Sequence, residues 1–169
     1  MDLSQYSATA RLRDGNPLQL RAIRPGDKQR LSGRSVYFRF MGAKHDLSPA
    51  ELKYFTEVDF RHHIAIVAAL ETAAGEQPIG VGRLIEMDAG PNERVAEVAF
   101  VVEDENQNLG AGTVSFEHIV RIARSEGFTR LHADVHAGNS EMLDIFRHSR
   151  FDIESRTDAG VEHLKFDIA

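Results

Sequence analysis

The segment that most constrains the fold is a glycine-rich turn in the second half of the chain. Its sequence, QNLGAGT at positions 107–113, lies between an apolar stretch and a segment with helical spacing of its apolar residues. Glycines at the start of a helix leave the backbone N–H groups of the first turn uncovered, where the positive end of the helix dipole also lies. Such a turn favours the binding of an anion. The chain is therefore expected to place a strand, an open turn and an amphipathic helix in that order.

The rest of the pattern predicts eight strands and four helices in a single domain over residues 1–169. Alternating or continuous apolar runs predict the strands. They are the two arms of ARLRDGNPLQLRAI, then HHIAIVAAL, QPIGVGRLIEM, ERVAEVAFVV, RLHADVH, FDIESR and VEHLKFDI. The predicted helices are RPGDKQRLSGRSVYFRF, LSPAELKYFTEV with Ser48 and Glu51 as a capping box, the segment from the glycines to Gly127, and NSEMLDIFRHS. This order indicates a mixed α/β sheet with helices on both faces.

Composition narrows the classes of function. The chain has 169 residues, no cysteine and a formal net charge of −6. Without cysteine there are no disulfides, thiolate metal sites or cysteine nucleophiles, and the acidic balance disfavours a general nucleic-acid binder. No segment approaches the roughly 18 apolar residues of a membrane helix. We expect a cytoplasmic protein that binds neither nucleic acid nor membrane.

Three kinds of phosphate-binding loop compete for the glycine-rich turn. A nucleotide P-loop requires a lysine directly after Gly112, and none is present. A dinucleotide fingerprint requires a third glycine, where this chain has Ser115, and a turn directly after the strand, where it has seven residues after Val102. A Q/R-x-x-G-x-G/A loop is matched at every defined position, by Gln107, Gly110 and Gly112. A glycine turn that only caps a helix is the structural alternative.

On this loop and on the order of elements around it, the chain resembles the GNAT superfamily of acyl-CoA-dependent N-acetyltransferases. Within that superfamily it resembles the GNAT domains of bacterial protein lysine acetyltransferases that modify acyl-CoA synthetases. The similar stretches are LRAIRPGD, SVYFRFMGAKHDLSPAELKYFTEVD, IGVGRLI and AEVAFVV. The resemblance implies an α/β GNAT fold, with a mixed, mostly antiparallel sheet flanked by about four helices.

The activity that the resemblance implies is direct transfer of an acetyl group from acetyl-CoA to an amine in a ternary complex, without a metal. The acceptor implied is a protein lysine, with an acyl-CoA synthetase as an expected partner. Two alternatives stay open: acetylation of a small-molecule amine, and a non-catalytic module that binds acyl-CoA.

The resemblance also implies a coenzyme site. The backbone amides from Asn108 to Thr113 and the side chain of Gln107 would hold the diphosphate, because a phosphate approaches the backbone only where no Cβ intrudes. The strand backbone would pair with the pantetheine arm, which Asn139 would also contact. Many members have a tyrosine as general acid where this chain has Phe146, which has no proton to give. The expected cofactor-binding residues are Phe100, Val101, Val102, Gln107, Asn108, Leu109, Gly110, Ala111, Gly112, Thr113, Asn139 and Phe146.

Glu97 is the candidate general base. It is the only charged residue inside VAEVAFVV, a run apolar on both faces and therefore expected to be a central strand. Burial there would raise its pKa towards the range useful for accepting a proton, and lysine acetyltransferases that the chain resembles have a glutamate base at the matching position. Alternatively, a hairpin turn centred near Gly90 would place Arg83 opposite Glu97 and Arg94 opposite Glu86. An Arg83–Glu97 pair would make the carboxylate structural.

The histidines offer weaker candidates. His132, Asp134 and His136 project from one face of a strand, but neighbours on that face are about 6.6 Å apart, which is wide for one metal ion. We therefore expect no metal site, and His136 is a reserve proton carrier. The His62-His63 pair is expected to be solvated. An aromatic-rich patch, expected in the core or beside the acceptor groove, consists of Tyr37, Phe38, Phe40, Tyr54 and Phe55.

Overall fold

The computed structural model describes residues 2–27, 48–102 and 110–169. The strands in these ranges are β1 (Ser7–Arg11), β2 (Pro17–Ala22), β3 (His63–Thr72), β4 (Gly75–Met87), β5 (Val95–Val102), β6 (Arg130–His136), β7 (Glu154–Asp158) and β8 (Val161–Asp167). The helices are α1 (Pro49–Thr56), α2 (Ala111–Ser125) and α3 (Ser140–Arg147), with short 3-10 turns at Leu3–Gln5 and Pro25–Asp27. None of the helices in these ranges is long and apolar enough to cross a membrane.

All eight strands belong to one mixed sheet, in the order β1-β2-β3-β4-β5-β6-β8-β7. Every neighbouring pair is antiparallel except β5 and β6, which run parallel. The predicted mixed, mostly antiparallel sheet is therefore confirmed. The predicted strand FDIESR begins later than expected, at Glu154, because Phe151 instead packs its ring against Phe116 and Phe166.

The start of α1 and the end of α2 are formed by the residues predicted for them. The Ser48 hydroxyl accepts a hydrogen bond from the Glu51 amide, while the Glu51 carboxylate accepts one from the Ser48 amide, which is the predicted capping box. Gly127 follows α2 with a φ of 84°, a left-handed conformation that favours glycine. Apart from the turn at Pro25–Asp27, the first predicted helix, RPGDKQRLSGRSVYFRF, lies outside the described residues.

Side chains of β5 alternate between two sides of the sheet. Ala96, Val98, Phe100 and Val102 pack in the larger core with α2 and α3. Glu97 and the alternate residues after it point to the other face, where α1 contributes its phenylalanine to a smaller core. Helices therefore lie on both faces of the sheet as predicted, and on the face of Glu97 the β5 residues Glu97, Ala99 and Val101 are partly buried.

The parallel ladder between β5 and β6 is the shortest in the described sheet. Residues pair only from Val95 with Arg130 to Glu97 with His132, and the two strands part beyond that point. The carboxyl ends of parallel strands meet the same edge of a sheet, so α2 and α3, which follow these strands, both begin at the open end of the split. This opening between β5 and β6 beyond Glu97, called the split below, positions the candidate site.

A buried ionic cluster ties β2 to the β3–β4 turn. Arg21 is 3% exposed, and its guanidinium donates to the carboxylate of Asp27 at 2.8 and 2.9 Å. It also donates to Glu76 at 2.7 Å. Removing one partner of a buried ion pair leaves a desolvated charge, which is costly. The cluster is therefore expected to determine stability in a part of the sheet that β3 and β4 separate from the split.

We predict that Asp27→Ala lowers the free energy of unfolding by about 3 kcal/mol, because it leaves the buried Arg21 with Glu76 as its remaining acidic partner in the cluster. Urea unfolding followed by circular dichroism measures this change. The matched control is Asp167→Ala, which breaks a pair with Arg130 whose two side chains are 42% and 73% exposed. The control midpoint should stay almost unchanged. Equal effects of the two variants would contradict the prediction.

Candidate active site

A groove of about 1800 Å³ occupies the split between β5 and β6. Its walls are Val98–Val102 of β5 and Ala133–His136 of β6, and α2 and α3 line its remaining sides. The β5 wall begins directly after Glu97, the last residue paired with β6. Beyond that residue β6 supplies no ladder partner, so amides and carbonyls of the β5 backbone face the groove. An extended ligand with hydrogen-bonding groups along its length fits such an edge.

The predicted anion-binding turn opens into this groove at the start of α2. Gly110 is the N-cap, with a φ of 89°, and its carbonyl accepts the first helical hydrogen bond, from Val114. The amides of Ala111, Gly112 and Thr113 precede that bond and so have no partner within the helix. Gly110, Gly112 and Thr113 line the groove, whereas the methyl group of Ala111 is buried in the core. Gln107, Asn108 and Leu109 lie outside the described residues.

Both glycines also meet requirements inside the fold. A Cβ on Gly110 would sit in the left-handed conformation that L side chains rarely adopt. A Cβ on Gly112 would lie 2.7 Å from Cδ1 of Ile145, so this glycine lets α2 approach α3 closely. Backbone conformation and helix packing thus explain part of the glycine pattern, in line with the structural alternative of a turn that caps the helix.

The start of α3 lies on the opposite side of the groove. Asn139 is the N-cap, as predicted, and its Oδ1 accepts a hydrogen bond from the Met142 amide at 3.2 Å. Its side chain is exposed and lines the groove together with Ser140. The N-termini of two helices therefore face one ligand-sized space from different sides.

Aromatic rings form the base of the groove. Phe146 is 1% exposed, with ring centroids 5.6 Å from Phe100 and 5.2 Å from Phe116. The side chains of Phe100 and Val102 also point into the core, so a ligand would reach these residues, and Val101 between them, through their backbone atoms. Phe146 offers an apolar surface and no proton.

Glu97 lies at the closed end of the split. It is the last β5 residue paired with β6, opposite His132, and it faces Ile85 on the other neighbouring strand. The carboxylate is half-buried, and within the described ranges it has no hydrogen-bond or ion-pair partner. Burial, together with the negative charge of Asp134, raises the pKa of Glu97. A carboxylate with these properties can accept a proton at the end of the groove.

The predicted pairing of Arg83 with Glu97 is wrong. Arg83 lies opposite Ala99, because the β4–β5 turn is centred at Pro91 rather than Gly90, which shifts each partner by two residues. The Arg83 side chain is fully buried and donates to the Phe55 carbonyl at 2.8 Å and to Nε2 of His63 at 3.0 Å. This rules out the proposed structural pair for Glu97.

The other pair predicted in this hairpin, Arg94 with Glu86, does form. Arg94 donates to both carboxylate oxygens of Glu86 at 2.8 and 2.9 Å, although Glu86 lies opposite Ala96 in the ladder. Long side chains span the two-residue offset. Arginine and glutamate thus hold the hairpin without involving the base candidate.

Three polar residues of β6 project from the face that carries Glu97, as the alternation predicts. His132 lies beside Glu97, and burial with nearby cations lowers the pKa of its imidazole. Asp134 contacts His163 of β8, with 2.6 Å between Oδ1 and Nδ1. His136, the reserve proton carrier, lies four residues beyond the last paired position, about 13 Å along the strand. Within the described ranges no group of three or more His, Asp or Glu residues is arranged to hold a metal ion.

The expectation of a solvated His62-His63 pair is wrong for one member. The His62 side chain is 63% exposed and pairs with Asp59, but His63 is 8% exposed and packs against the rings of Tyr54 and Phe55. Burial and the cation of Arg83 lower the pKa of His63 to about 4. Packing of α1 over β3, which sequence spacing does not report, buries this histidine.

The two described residues of the predicted aromatic patch, Tyr54 and Phe55, differ in burial. Phe55 belongs to the smaller core, whereas Tyr54 is 53% exposed. Tyr37, Phe38 and Phe40 lie outside the described residues.

Arg13 and Asp134 are among the polar residues of the groove that the sequence analysis did not assign to it. Arg13, in the β1–β2 turn, lines the groove beside Gly110, with its Nε 3.5 Å from the position that a Cβ on this glycine would take. Asp134 also lines it. The contact of Arg13 joins elements about 100 residues apart, so no local pattern signals it. Asp134 was noted only as a metal ligand, although its alternation with the core residues of β6 already placed it on the face of Glu97.

The groove as a whole suits an elongated molecule with an anionic end and a reactive end. The amides at the start of α2 and the guanidinium of Arg13 lie at its open end, and the edge of β5 that has separated from β6 leads inward to Glu97. An acyl-coenzyme A has this layout, with a diphosphate, an amide-containing arm and a thioester.

Comparison with known proteins agrees with this geometry. The family model described as the acetyltransferase (GNAT) family matches residues 34–149, more than half of the chain. An acetyltransferase of Pseudomonas aeruginosa is 29% identical over 79% of this chain and 74% of its own length. The acetyltransferase Pat of Mycolicibacterium smegmatis is 30% identical over 93% of this chain. The chain spans only 47% of the length of that second relative.

Solved structures show the same fold. The GNAT domain of PAT from S. lividans superposes with a TM-score of 0.80 at 29% identity, covering 95% of this chain and 96% of that domain. A cAMP-binding acyltransferase from Mycobacterium smegmatis has a TM-score of 0.68 at 27% identity, covering 97% of this chain and 48% of its own. These matches, together with the matched family, show that the chain belongs to the GNAT family of acetyltransferases and is an acetyl-CoA-dependent N-acetyltransferase.

Proposed function

We propose that this chain transfers the acetyl group of acetyl-CoA to a lysine ε-amine of a protein, with Glu97 as the general base. The observation that supports this most is the position of Glu97 at the closed end of the split, half-buried and without an ionic partner among the described residues. Its neighbour on β4 is the apolar Ile85, so desolvation favours its protonated form. A free carboxylate that takes up a proton readily suits a base better than a structural role.

The acceptor amine makes such a base necessary. A lysine with a pKa of about 10.4 is an ammonium ion at pH 7, and removing its proton costs roughly 4–5 kcal/mol. Glu97 accepts that proton, and the neutral nitrogen forms a bond to the acetyl carbon while the carbon–sulfur bond breaks. Bound acetyl-CoA supplies the acetyl group as a thioester. The surplus proton on the nitrogen neutralises the departing thiolate, since Phe146 has none to donate, and Glu97 returns its proton to solvent.

Coenzyme binding is assigned to the open end and the strand edge. The amides of Ala111, Gly112 and Thr113 would hold the diphosphate, with the predicted loop residues Gln107, Asn108 and Leu109 completing the cradle. The backbone of Phe100, Val101 and Val102 would bind the pantetheine arm, and Asn139 would contact it from α3. What supports this assignment is that the described members line or border one groove that ends at Glu97.

The choice of a protein lysine as acceptor rests on relatives. The chain is 30% identical to Pat of Mycolicibacterium smegmatis and 29% identical to the GNAT domain of PAT from S. lividans. The sequence stretches noted above resemble lysine acetyltransferases that modify acyl-CoA synthetases, and an acyl-CoA synthetase is accordingly our proposed partner.

Glu97→Gln is expected to lower kcat by about 100-fold or more at saturating acetyl-CoA, because the amide cannot accept the proton. Its Kd for CoA should stay close to that of the wild type. Thiol release measures the rate and calorimetry the affinity. The control is Glu154→Gln, which removes a carboxylate from the exposed edge strand β7 and should leave the rate unchanged. Nearly full turnover of Glu97→Gln would remove this residue from the mechanism.

Thr113→Glu is expected to weaken CoA binding by about tenfold or more, because it places a negative charge where the diphosphate would bind. Stability should stay the same or rise, since a carboxylate in the first turn of a helix is favourable. Calorimetry with CoA and thermal unfolding separate these two effects. Thr157→Glu on β7 adds the same charge away from the groove. Unchanged affinity of Thr113→Glu would place the diphosphate elsewhere.

The acceptor class can be read directly from a bacterial lysate treated with the enzyme and isotopically labelled acetyl-CoA. We expect mass spectrometry to find label on lysines of a few proteins, acyl-CoA synthetases among them, and not with Glu97→Gln. Label confined to small molecules would overturn the protein acceptor while leaving an N-acetyltransferase. Binding of CoA without any transfer would indicate the non-catalytic alternative.

A further inference from the structure

Two carboxylates lie on the same face of the sheet where β5 and β6 begin to part. Glu97 is the last β5 residue paired with β6, and Asp134 lies two residues beyond its partner His132, on the same face of the sheet. The two groups interact, since the charge of Asp134 contributes to raising the pKa of Glu97. Asp134 also lines the groove. The parting strands therefore hold two acidic groups on opposite sides of the opening.

The orientation of Asp134 is held by β8. His163 lies directly opposite Asp134 in the antiparallel ladder, and its Nδ1 donates a hydrogen bond to Oδ1 at 2.6 Å. The Asp134 side chain is 55% exposed, so its second oxygen remains accessible from the groove. A carboxylate fixed through one oxygen and open at the other is suited to binding a cation of matching geometry.

Among the described residues, burial and the charge of Asp134 raise the pKa of Glu97 and no cation offsets them. On β4, Arg83 faces the same side but donates to Phe55 and His63 instead. On β6, His132 has a lowered pKa through burial and nearby cations, so it is largely neutral at pH 7. On β8, Lys165 lies opposite His132, one strand further from Glu97. On β7, Arg156 lies opposite His163, two strands from Asp134.

We propose that Asp134, oriented by His163, binds the acceptor as an ammonium ion beside Glu97 and so selects amines that are cationic at neutral pH. This rests on the proposed function of Glu97. One N–H of the ammonium donates to Asp134, and a second transfers its proton to Glu97. The nitrogen thus becomes neutral at the position where it attacks. A charge-assisted hydrogen bond of this kind stabilises an alkylammonium ion but gives little to an aromatic amine, which is uncharged at pH 7.

The test compares Asp134→Asn with the wild type, with thiol release measured for Nα-acetyl-lysine methylamide and for aniline. We expect kcat/KM for the lysine probe to fall by about tenfold or more, mainly through KM, with the KM for acetyl-CoA little changed. The preference for the lysine probe over aniline should shrink accordingly. Asp158→Asn, on the same face at β7, is the matched control and should behave as wild type.

The pH profile gives a readout that loss of structure does not mimic. The acid limb of kcat reports the pKa of the base, and activity appears as Glu97 loses its proton. Removing the negative charge of Asp134 makes Glu97 easier to ionise, so the limb should move to lower pH in Asp134→Asn. Asp134→Glu, which keeps the charge, should restore the wild-type limb and part of the amine affinity.

Each outcome bears on a different claim. An active wild type with unchanged amine KM and an unmoved acid limb in Asp134→Asn overturns the role of Asp134 alone. A wild type that releases no thiol with the lysine probe overturns the proposed function of Glu97 and this inference with it. Equal losses for both probes, with acetyl-CoA KM also raised, would show a structural effect and reject selection by charge.

Discussion

The short parallel ladder between β5 and β6 is the constraint on which the rest of the site depends. Three residue pairs join these strands before they part. Beyond Glu97 the ladder to β6 ends, so backbone groups of β5 on this side are available to something other than β6. Because both strands run the same way, the helices that follow them begin at the open side. The short parallel pairing of β5 and β6 therefore accounts for the groove, the strand edge beside it and the position of two helix N-termini.

The closed end of the split holds a carboxylate with a raised pKa. Glu97 is half-buried at the last position where β5 pairs with β6, next to the point where the strands separate. Desolvation raises its pKa, and Asp134 acts in the same direction from the neighbouring strand. The fold offsets this with packing elsewhere, in the aromatic base formed by Phe100, Phe116 and Phe146. This aromatic base lies on the opposite face of the sheet from the acidic pair, because Glu97 and Phe100 project to different sides of β5.

Sequence reasoning succeeded where neighbouring residues decide the structure. The capping box of Ser48 and Glu51 and the stop after α2 follow from local hydrogen bonding, and the burial of Glu97 follows from its apolar strand. The predicted register between β4 and β5 was wrong. The turn that joins them is centred one residue later than expected, which moves Arg83 away from Glu97 but leaves both on the same face of the sheet. Burial of His63 and the place of Arg13 depend on elements distant in the chain, and periodicity carries no information about them.

The contact between Arg83 and His63 limits the behaviour of the fold in acid. A histidine in an unfolded chain takes up its proton near pH 6.5, whereas His63 does so only near pH 4, because burial and a permanent cation oppose it. Between these values the unfolded chain binds more protons than the native one. The free energy of unfolding therefore falls as the pH drops through this interval and is fully restored above it. The protein thus has a built-in acid tolerance limit that is independent of the two carboxylates at the split.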